Sequence, residues 1–274
     1  MKQYISFWLG VVAMGLLAAC GDSGTDQKAD SADQADMAVT TITVAAAANV
    51  QFAMKELVQA FESVHPQIKV ETVVSSSGKL TAQILEGAPY DLLVSANMKY
   101  PEYLLAQKVA VGGAKVYAYG ILVAWSLTGN QVRFTPEYLL SEKVTKVAVA
   151  NPRNAPYGVQ AINYLKHYGV FEAVEPKLVY GESIAQTNQY ITSEAVDVGL
   201  TAKSVVLSPD MKGKGRWLEL PVNSYIPIEQ GVVMTKYGQT HHPRASLSFY
   251  TFLFSDAAAA IFEQYGYQLP DQNQ

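Results

Sequence analysis

The chain of 274 residues has one cysteine, four histidines and no uninterrupted apolar run of twenty residues. A single thiol can neither close an intramolecular disulfide nor form a thiolate cage around a metal. About twenty consecutive apolar residues are needed for a helix to cross a bilayer, so a polytopic membrane protein is excluded. Charge is scarce as well: Asp, Glu, Lys and Arg make up 16% of the chain, and the 20 bases are spread without a cluster among 24 acids. A net charge of −4 with no basic patch argues against nucleic acid as the main partner. Apolar side chains, at 49% of residues, are abundant. That fraction excludes a disordered protein, and the length suits one large domain or two smaller ones.

The lone cysteine has a telling position. Lys2 is followed by an apolar stretch over 5–17 and then by Leu17-Ala18-Ala19-Cys20. A basic start, a short apolar core and small residues before a cleavage point describe a secretory signal. The run is too short, and lacks the basic flank, for a retained membrane helix. The Leu-Ala-Ala-Cys tetrad resembles the lipobox of bacterial lipoproteins, which implies a signal peptide over 1–19 and lipidation of Cys20. A thioether-linked diacylglyceryl group plus an N-acyl chain is enough for stable membrane anchoring. Residues 21–38 hold five Asp, no aromatic and no β-branched aliphatic residue, too little apolar surface to order themselves. Residues 20–39 therefore read as the lipidated cysteine and a disordered tether, whose ends would sit roughly 25 Å apart. Gly21 after the cysteine favours, by the same resemblance, the outer membrane of a Gram-negative host; in a Gram-positive one the anchor would lie at the cell surface.

From Thr41 onward strand and helix alternate. Residues 41–47 (TITVAAA) form a buried-strand run, Asn49 offers an N-cap, and Ala53, Leu57, Ala60, Phe61 and Val64 recur at helical spacing until His65-Pro66. Strands are expected at 68–74, 91–95, 147–150, 196–200 and 231–235. Helices are expected at 79–86, after Asn97, at 159–168, and near 245–254 and 257–265. Such β-α-β alternation implies parallel or mixed sheets with helices on both faces. Aromatic-rich turns near 117–120 and 225–227 flank a middle block with its own strand-helix units. They suggest two lobes, 40–119 plus 228–274 and 120–227.

In open α/β sheets ligands sit where strand ends lead into helix N-termini. Three such junctions carry small neutral donors: Ala48-Asn49, Ser76-Ser77-Gly78 and Pro156-Tyr157-Gly158. Each sets N–H or O–H groups beside the free backbone N–H groups at the positive end of a helix, which suits an anion held without a salt bridge. Alone, Asn49 is a cap, Ser76 and Ser77 a turn and a cap, and Tyr157 a packed aromatic; the case rests on their equivalent placement.

The sequence resembles the molybdate-binding proteins of ABC transporters, the ModA family, along 40–270. The matching stretches are VAAAANV at 44–50, SSSGKL at 75–80, GAPYDLLVSAN at 87–97, NPRNAPYG at 151–158, VDVGLTAKS at 196–204 and YGY at 265–267. The resemblance implies a two-lobed type II periplasmic-binding fold, each lobe a mixed sheet flanked by helices. It also implies an extracytoplasmic monomer without cofactor or catalysis. Molybdate or tungstate would lie in the cleft as the only metal species, for delivery to ABC permease subunits. Carried over position by position, the family's first-loop donor falls on Asn49, whose carboxamide N–H₂ replaces a hydroxyl. The second-loop serine falls on Ser77, with Ser76 beside it. Tyr157 would give its backbone N–H, its hydroxyl or both, and Ile184 a backbone N–H. Ala48 has only its backbone N–H where some relatives have Thr. A Tyr used by one branch falls on Ala202, so that donor is absent.

The rival constellations are thinner. Ser76 and Lys79 satisfy the S-x-x-K pattern of penicillin-recognising acyl-transferases, and Ser95-Ala96-Asn97 imitates their second motif, but no Lys-Thr-Gly follows. Gly78-Lys79 lacks the flanks of a P-loop. His241-His242 has no third metal ligand in view. The 17 tyrosines keep a carbohydrate or small organic anion in play as solute, with sulfate a further alternative; such sites call for stacked aromatics or charged clamps, and apart from Arg153 the strand-end tips have neither.

Overall fold

A computed structural model describes residues 39–128 and 133–270. The expected signal peptide, Cys20 and all but Val39 of the expected tether lie outside the described residues. The chain starts with β1 (Thr40–Ala47), α1 (Gln51–Val64), β2 (Ile68–Ser75), α2 (Ser77–Leu85), β3 (Leu92–Ser95) and α3 (Lys99–Ala106). β4 (Ala110–Gly120) then runs into β5 (Leu122–Ser126) with only Ile121 between them. Next come α4 (Pro136–Leu140), β6 (Val147–Ala150), α5 (Pro156–His167), α6 (Phe171–Val174), β7 (Leu178–Gly181) and α7 (Ile184–Thr192). β8 (Val198–Ala202), α8 (Lys203–Val206) and β9 (Arg216–Glu219) complete the middle block. The chain returns as β10 (Ile228–Thr235) and closes with α9 (Lys236–His241), α10 (Pro243–Phe252) and α11 (Asp256–Gln264).

The strands form two five-stranded mixed sheets, in the orders β2-β1-β3-β10-β4 and β7-β6-β8-β5-β9. In the first, β1 runs parallel to β2 and β3 while β10 is antiparallel to β3 and β4. The second repeats the plan, with β6 parallel to β7 and β8, and β5 antiparallel to β8 and β9. The inner parallel strands are continuous apolar runs: LLVS in β3, VAVA in β6 and VGLTA in β8 are buried throughout, as strands covered on both faces must be. On the first sheet, Phe61, Phe249 and Phe262 pack one face and Leu80 and Leu104 the other. Trp125, Tyr164 and Leu165 anchor the core of the second sheet, which reaches Ala47, Ala48 and Ala96 at the strand ends of the first.

Element boundaries depart from the sequence expectation in instructive ways. Asn49 is not the cap of α1; Val50 occupies that position and no side chain caps the helix. Met98, not Asn97, precedes α3. α2 begins at Ser77 and α5 at Pro156, two and three residues earlier than apolar periodicity places them. Polar or proline first turns have no apolar stripe to read, and Pro at N1 is a start signal in its own right. The expected turn near 117–120 is the end of the eleven-residue strand β4, where Val and Tyr favour the pleated surface.

An acidic side chain stitches the second sheet. The Asp197 carboxylate accepts from Thr145 N (2.7 Å), Thr145 Oγ1 (2.9 Å) and Lys146 N (3.0 Å). Burial alone would raise its pKa, but these bonds and the Lys146 charge outweigh burial and hold it below the ordinary carboxylate value. A depressed folded-state pKa stabilises fully above the unfolded value, and the contribution is lost as pH falls through the folded one. Asp197→Asn is therefore expected to melt below wild type at neutral pH and to converge with it as pH drops beneath the carboxylate range. A pH-independent offset in melting temperature would remove the charge from this account.

Candidate functional site

Four parallel strands, two from each sheet, end at one place. β1 runs into Ala48-Asn49, β2 into Ser76 and α2, β6 into the loop before α5, and β7 into Glu182-Ser183 and α7. Between them lies a cavity of about 10 Å³ lined by Asn49, Ser76, Ser77, Tyr157 and Ile184 together with Ala47, Ala48, Ala96, Ala155 and Pro156. All six residues singled out in the sequence thus meet in one hollow. No charged side chain lines it, and Asn49, Ser76, Ser77 and Tyr157 are at most 3% exposed.

The donors at this place are largely uncommitted. Helix geometry leaves the first N–H groups without an intrahelical acceptor, and Ser77, Tyr157 and Ile184 hold such positions in α2, α5 and α7. None of the three N–H groups meets another acceptor among the described residues. The hydroxyls of Ser76 and Tyr157 are buried without a partner. Ser77 Oγ accepts from Ala96 N at 3.0 Å, which leaves its proton free to donate. Burial pushes the Tyr157 phenol well above its ordinary pKa, with Tyr267, Tyr117 and Tyr225 adding to it and the Asn49 amide opposing. The group therefore stays a protonated donor at any physiological pH. A buried polar group without a partner costs stability unless something completes its bonds.

Two sequence expectations need correcting at this level. The Ala48 N–H is not available, because it donates to Ser75 O at 2.9 Å as the extension of the β1–β2 ladder. The Asn49 carboxamide is committed too: Nδ2 donates to Gln230 Oε1 (2.7 Å) and Tyr267 OH (3.1 Å). An amide nitrogen has two protons, so its nearness to Tyr157 OH adds no third bond. The Asn49 carbonyl accepts from Ser204 Oγ (2.7 Å) and Tyr267 OH (3.1 Å).

Gln230, Tyr117, Tyr267 and Ser204 thus form a polar floor that the sequence analysis did not assign. The available signal was a glutamine in the apolar strand IEQGVVMT, where a buried polar residue demands an explanation. Across the hollow the two sheets' elements also touch directly. Gly78 N donates to Asn154 O at 2.9 Å, where an added Cβ would lie 2.8 Å from Asn154 Cα. Lys79 Nζ pairs with Glu182 Oε2 at 3.5 Å. The lysine of the S-x-x-K pattern thus faces Glu182, and Ser76 Oγ has no hydrogen-bond partner among the described residues. Ala202, the last residue of β8, is not among the residues that line the cavity. His242 Nδ1 lies 2.8 Å from the buried Asp91 carboxylate, and no cluster of three metal-ligating side chains occurs among the described residues.

Residues 42–268 match the family model of the bacterial extracellular solute-binding proteins. The chain is 35% identical to the molybdate-binding protein ModA of Rhodobacter capsulatus over 192 residues, which is 70% of this chain and 74% of the relative. It is 32% identical to ModA of Azotobacter vinelandii over 229 residues, 83% of this chain and 90% of that protein. The solved periplasmic molybdate-binding protein of Azotobacter vinelandii superposes with a TM-score of 0.79 at 31% identity, over 84% of this chain and 100% of that one. The sulfate-binding protein SubI from Mycobacterium tuberculosis superposes with a TM-score of 0.72 at 16% identity, over 85% and 88%, a likeness of fold.

Proposed function

The chain belongs to the family of bacterial extracellular solute-binding proteins, and we propose that its solute is molybdate or tungstate, captured for an ABC importer. The observation that carries this reading is the convergence of uncommitted neutral donors from both sheets on one uncharged hollow. The Ser76, Ser77 and Tyr157 hydroxyls and the N–H groups of Ser77, Tyr157 and Ile184 would take the oxygens of a tetrahedral dianion. Hydrogen bonds to a charged group contribute about 1.5–3 kcal/mol each. Five to seven of them, after dehydration of the ion, are compatible with an affinity of roughly −8 to −12 kcal/mol. No carboxylate lines the cavity to accept a proton, so an oxyanion that keeps an O–H near neutral pH is penalised. Sulfate shares the charge of molybdate but is smaller, and size separates them.

In this reading residues 40–119 plus 228–274 and residues 120–227 are two lobes that part at the β4–β5 crossing and before β10. The cavity, about 10 Å³, is close to the least that holds one water, so a larger ion enters when the lobes open. A lipid on Cys20 would keep the monomer at the membrane beside its permease. Solute binding, not catalysis, is the activity of the family.

Calorimetric titration of the unlipidated body with molybdate, tungstate, sulfate and phosphate tests the reading. The expected result is tight binding of the first two, millimolar or no response to sulfate, and none to phosphate. Preference for sulfate, or for a carbohydrate or organic anion in a wider screen, would overturn the choice of solute.

A further inference from the structure

The geometry points to Gln230 as the positioning residue of the site: one buried carboxamide on β10 fixes the orientation of Asn49 and braces the loop that polarises Ser77. The inference rests on the oxyanion reading of the cavity and deepens it. Gln230 is 0% exposed and bonds in two directions. Its Nε2 donates to two backbone carbonyls, Ile228 O (3.3 Å) and Ala96 O (3.4 Å). Carbonyls accept only, so the Gln230 amide cannot turn over without setting its oxygen against both of them. Its Oε1 is thereby held toward Asn49, where it accepts from Nδ2 at 2.7 Å and from Tyr117 OH at 3.4 Å. That in turn settles the Asn49 amide, whose nitrogen must face Gln230 and Tyr267 rather than the hollow. Two amides that would otherwise flip freely are locked in sequence by two main-chain oxygens.

The second arm of the brace runs through Ala96. The residue whose carbonyl Gln230 holds is the same one whose N–H donates to Ser77 Oγ at 3.0 Å. The two groups lie in the peptides on either side of Ala96 Cα, so holding the carbonyl restrains the backbone at Ala96 and steadies the N–H that occupies a lone pair of Ser77 Oγ. Gln230 therefore ties the β1–α1 and β3–α3 loops together beneath the ion site without lining it. Asn49 acts as a strut between Gln230, which holds its side chain, and Ser204, whose Oγ reaches its main-chain carbonyl from α8. Preorganised donors of this kind spare the ion the cost of ordering them.

Wild type, Gln230→Met, Asn49→Ala and the double variant are titrated with molybdate, with circular dichroism to verify folding. Gln230→Met is expected to weaken binding by about tenfold to a hundredfold, the range seen when a partner orienting a ligating group is removed. In the Asn49→Ala background the same change should cost clearly less, because part of the effect runs through Asn49. Wild-type affinity in Gln230→Met, or equal losses in both backgrounds, would overturn the inference. Should the variants not fold, hydrogen exchange of the Asn49 side-chain amide in the wild-type protein decides. Protection is expected with and without molybdate, and protection that arises only on adding molybdate would mean that Asn49 grips the ion itself. If wild type binds no oxyanion, the proposed function fails first and separately.

Discussion

Ser77→Ala is expected to weaken molybdate binding by about 1.5–3 kcal/mol, the contribution of one hydrogen bond to a charged group, and to lower folding stability as well. The two losses have different origins. Affinity falls because the hydroxyl proton, freed by the bond that Ser77 Oγ accepts from Ala96 N, no longer reaches the ion. Stability falls because the Ala96 N–H, buried at a residue 2% exposed, is left without its acceptor, a penalty of about 1–3 kcal/mol. That second term is present with or without ligand and cancels from the binding constant. Ser76→Ala makes the contrast: its Oγ is buried without a partner, so its removal should reduce affinity while leaving stability equal or slightly higher. Titration calorimetry and denaturant unfolding on both variants separate the terms. A Ser77→Ala protein with lowered stability and unchanged affinity would remove Ser77 from the site.

The contrast between these two serines also marks what the sequence could and could not convey. Apolar runs mark β1, β3, β6 and β8, because strands covered on both faces must be apolar, and period-two alternation marks the edge strand β2, whose outward residues are exposed. Strand-to-helix junctions with Ser, Asn or Tyr could be picked out for the same physical reason that makes them anion sites, free N–H groups at helix starts. The cavity lining at Asn49, Ser77 and Tyr157 follows from that. Which donors are spent is a different matter, since it depends on partners far away in the chain. Asn49 is engaged by Gln230 and Tyr267, 181 and 218 residues on, and Ala48 by Ser75 through strand register. Local pattern has no access to such pairings. Ile184 had no side-chain signal at all, because its contribution is a main-chain N–H, and only the resemblance to ModA proteins pointed to it.

Gly158→Ala is expected to be the most damaging single methyl in the site. Gly158 follows Tyr157 in the first turn of α5, where the helix start lies directly against the end of β6. A Cβ built on Gly158 would sit 2.0 Å from Ala150 O and 2.7 Å from Ala150 C. Both are main-chain atoms of an interior strand paired with β7 and β8, so no rotamer change relieves the overlap, and the helix start has to move outward. Forced overpacking of this kind typically costs about 1–3 kcal/mol of stability. The functional loss should be larger, because the displaced turn carries the Tyr157 N–H and hydroxyl together, and misplacement of about an ångström in a preorganised site can cost on the order of a hundredfold. Gly113→Ala is the control: a Cβ there meets nothing within 4 Å and its backbone does not require glycine, so stability and affinity should stay near wild type. Comparable molybdate affinity in Gly158→Ala and wild type would show that the start of α5 takes no part in holding the ion, and would leave the site to the first sheet's loops and Ile184.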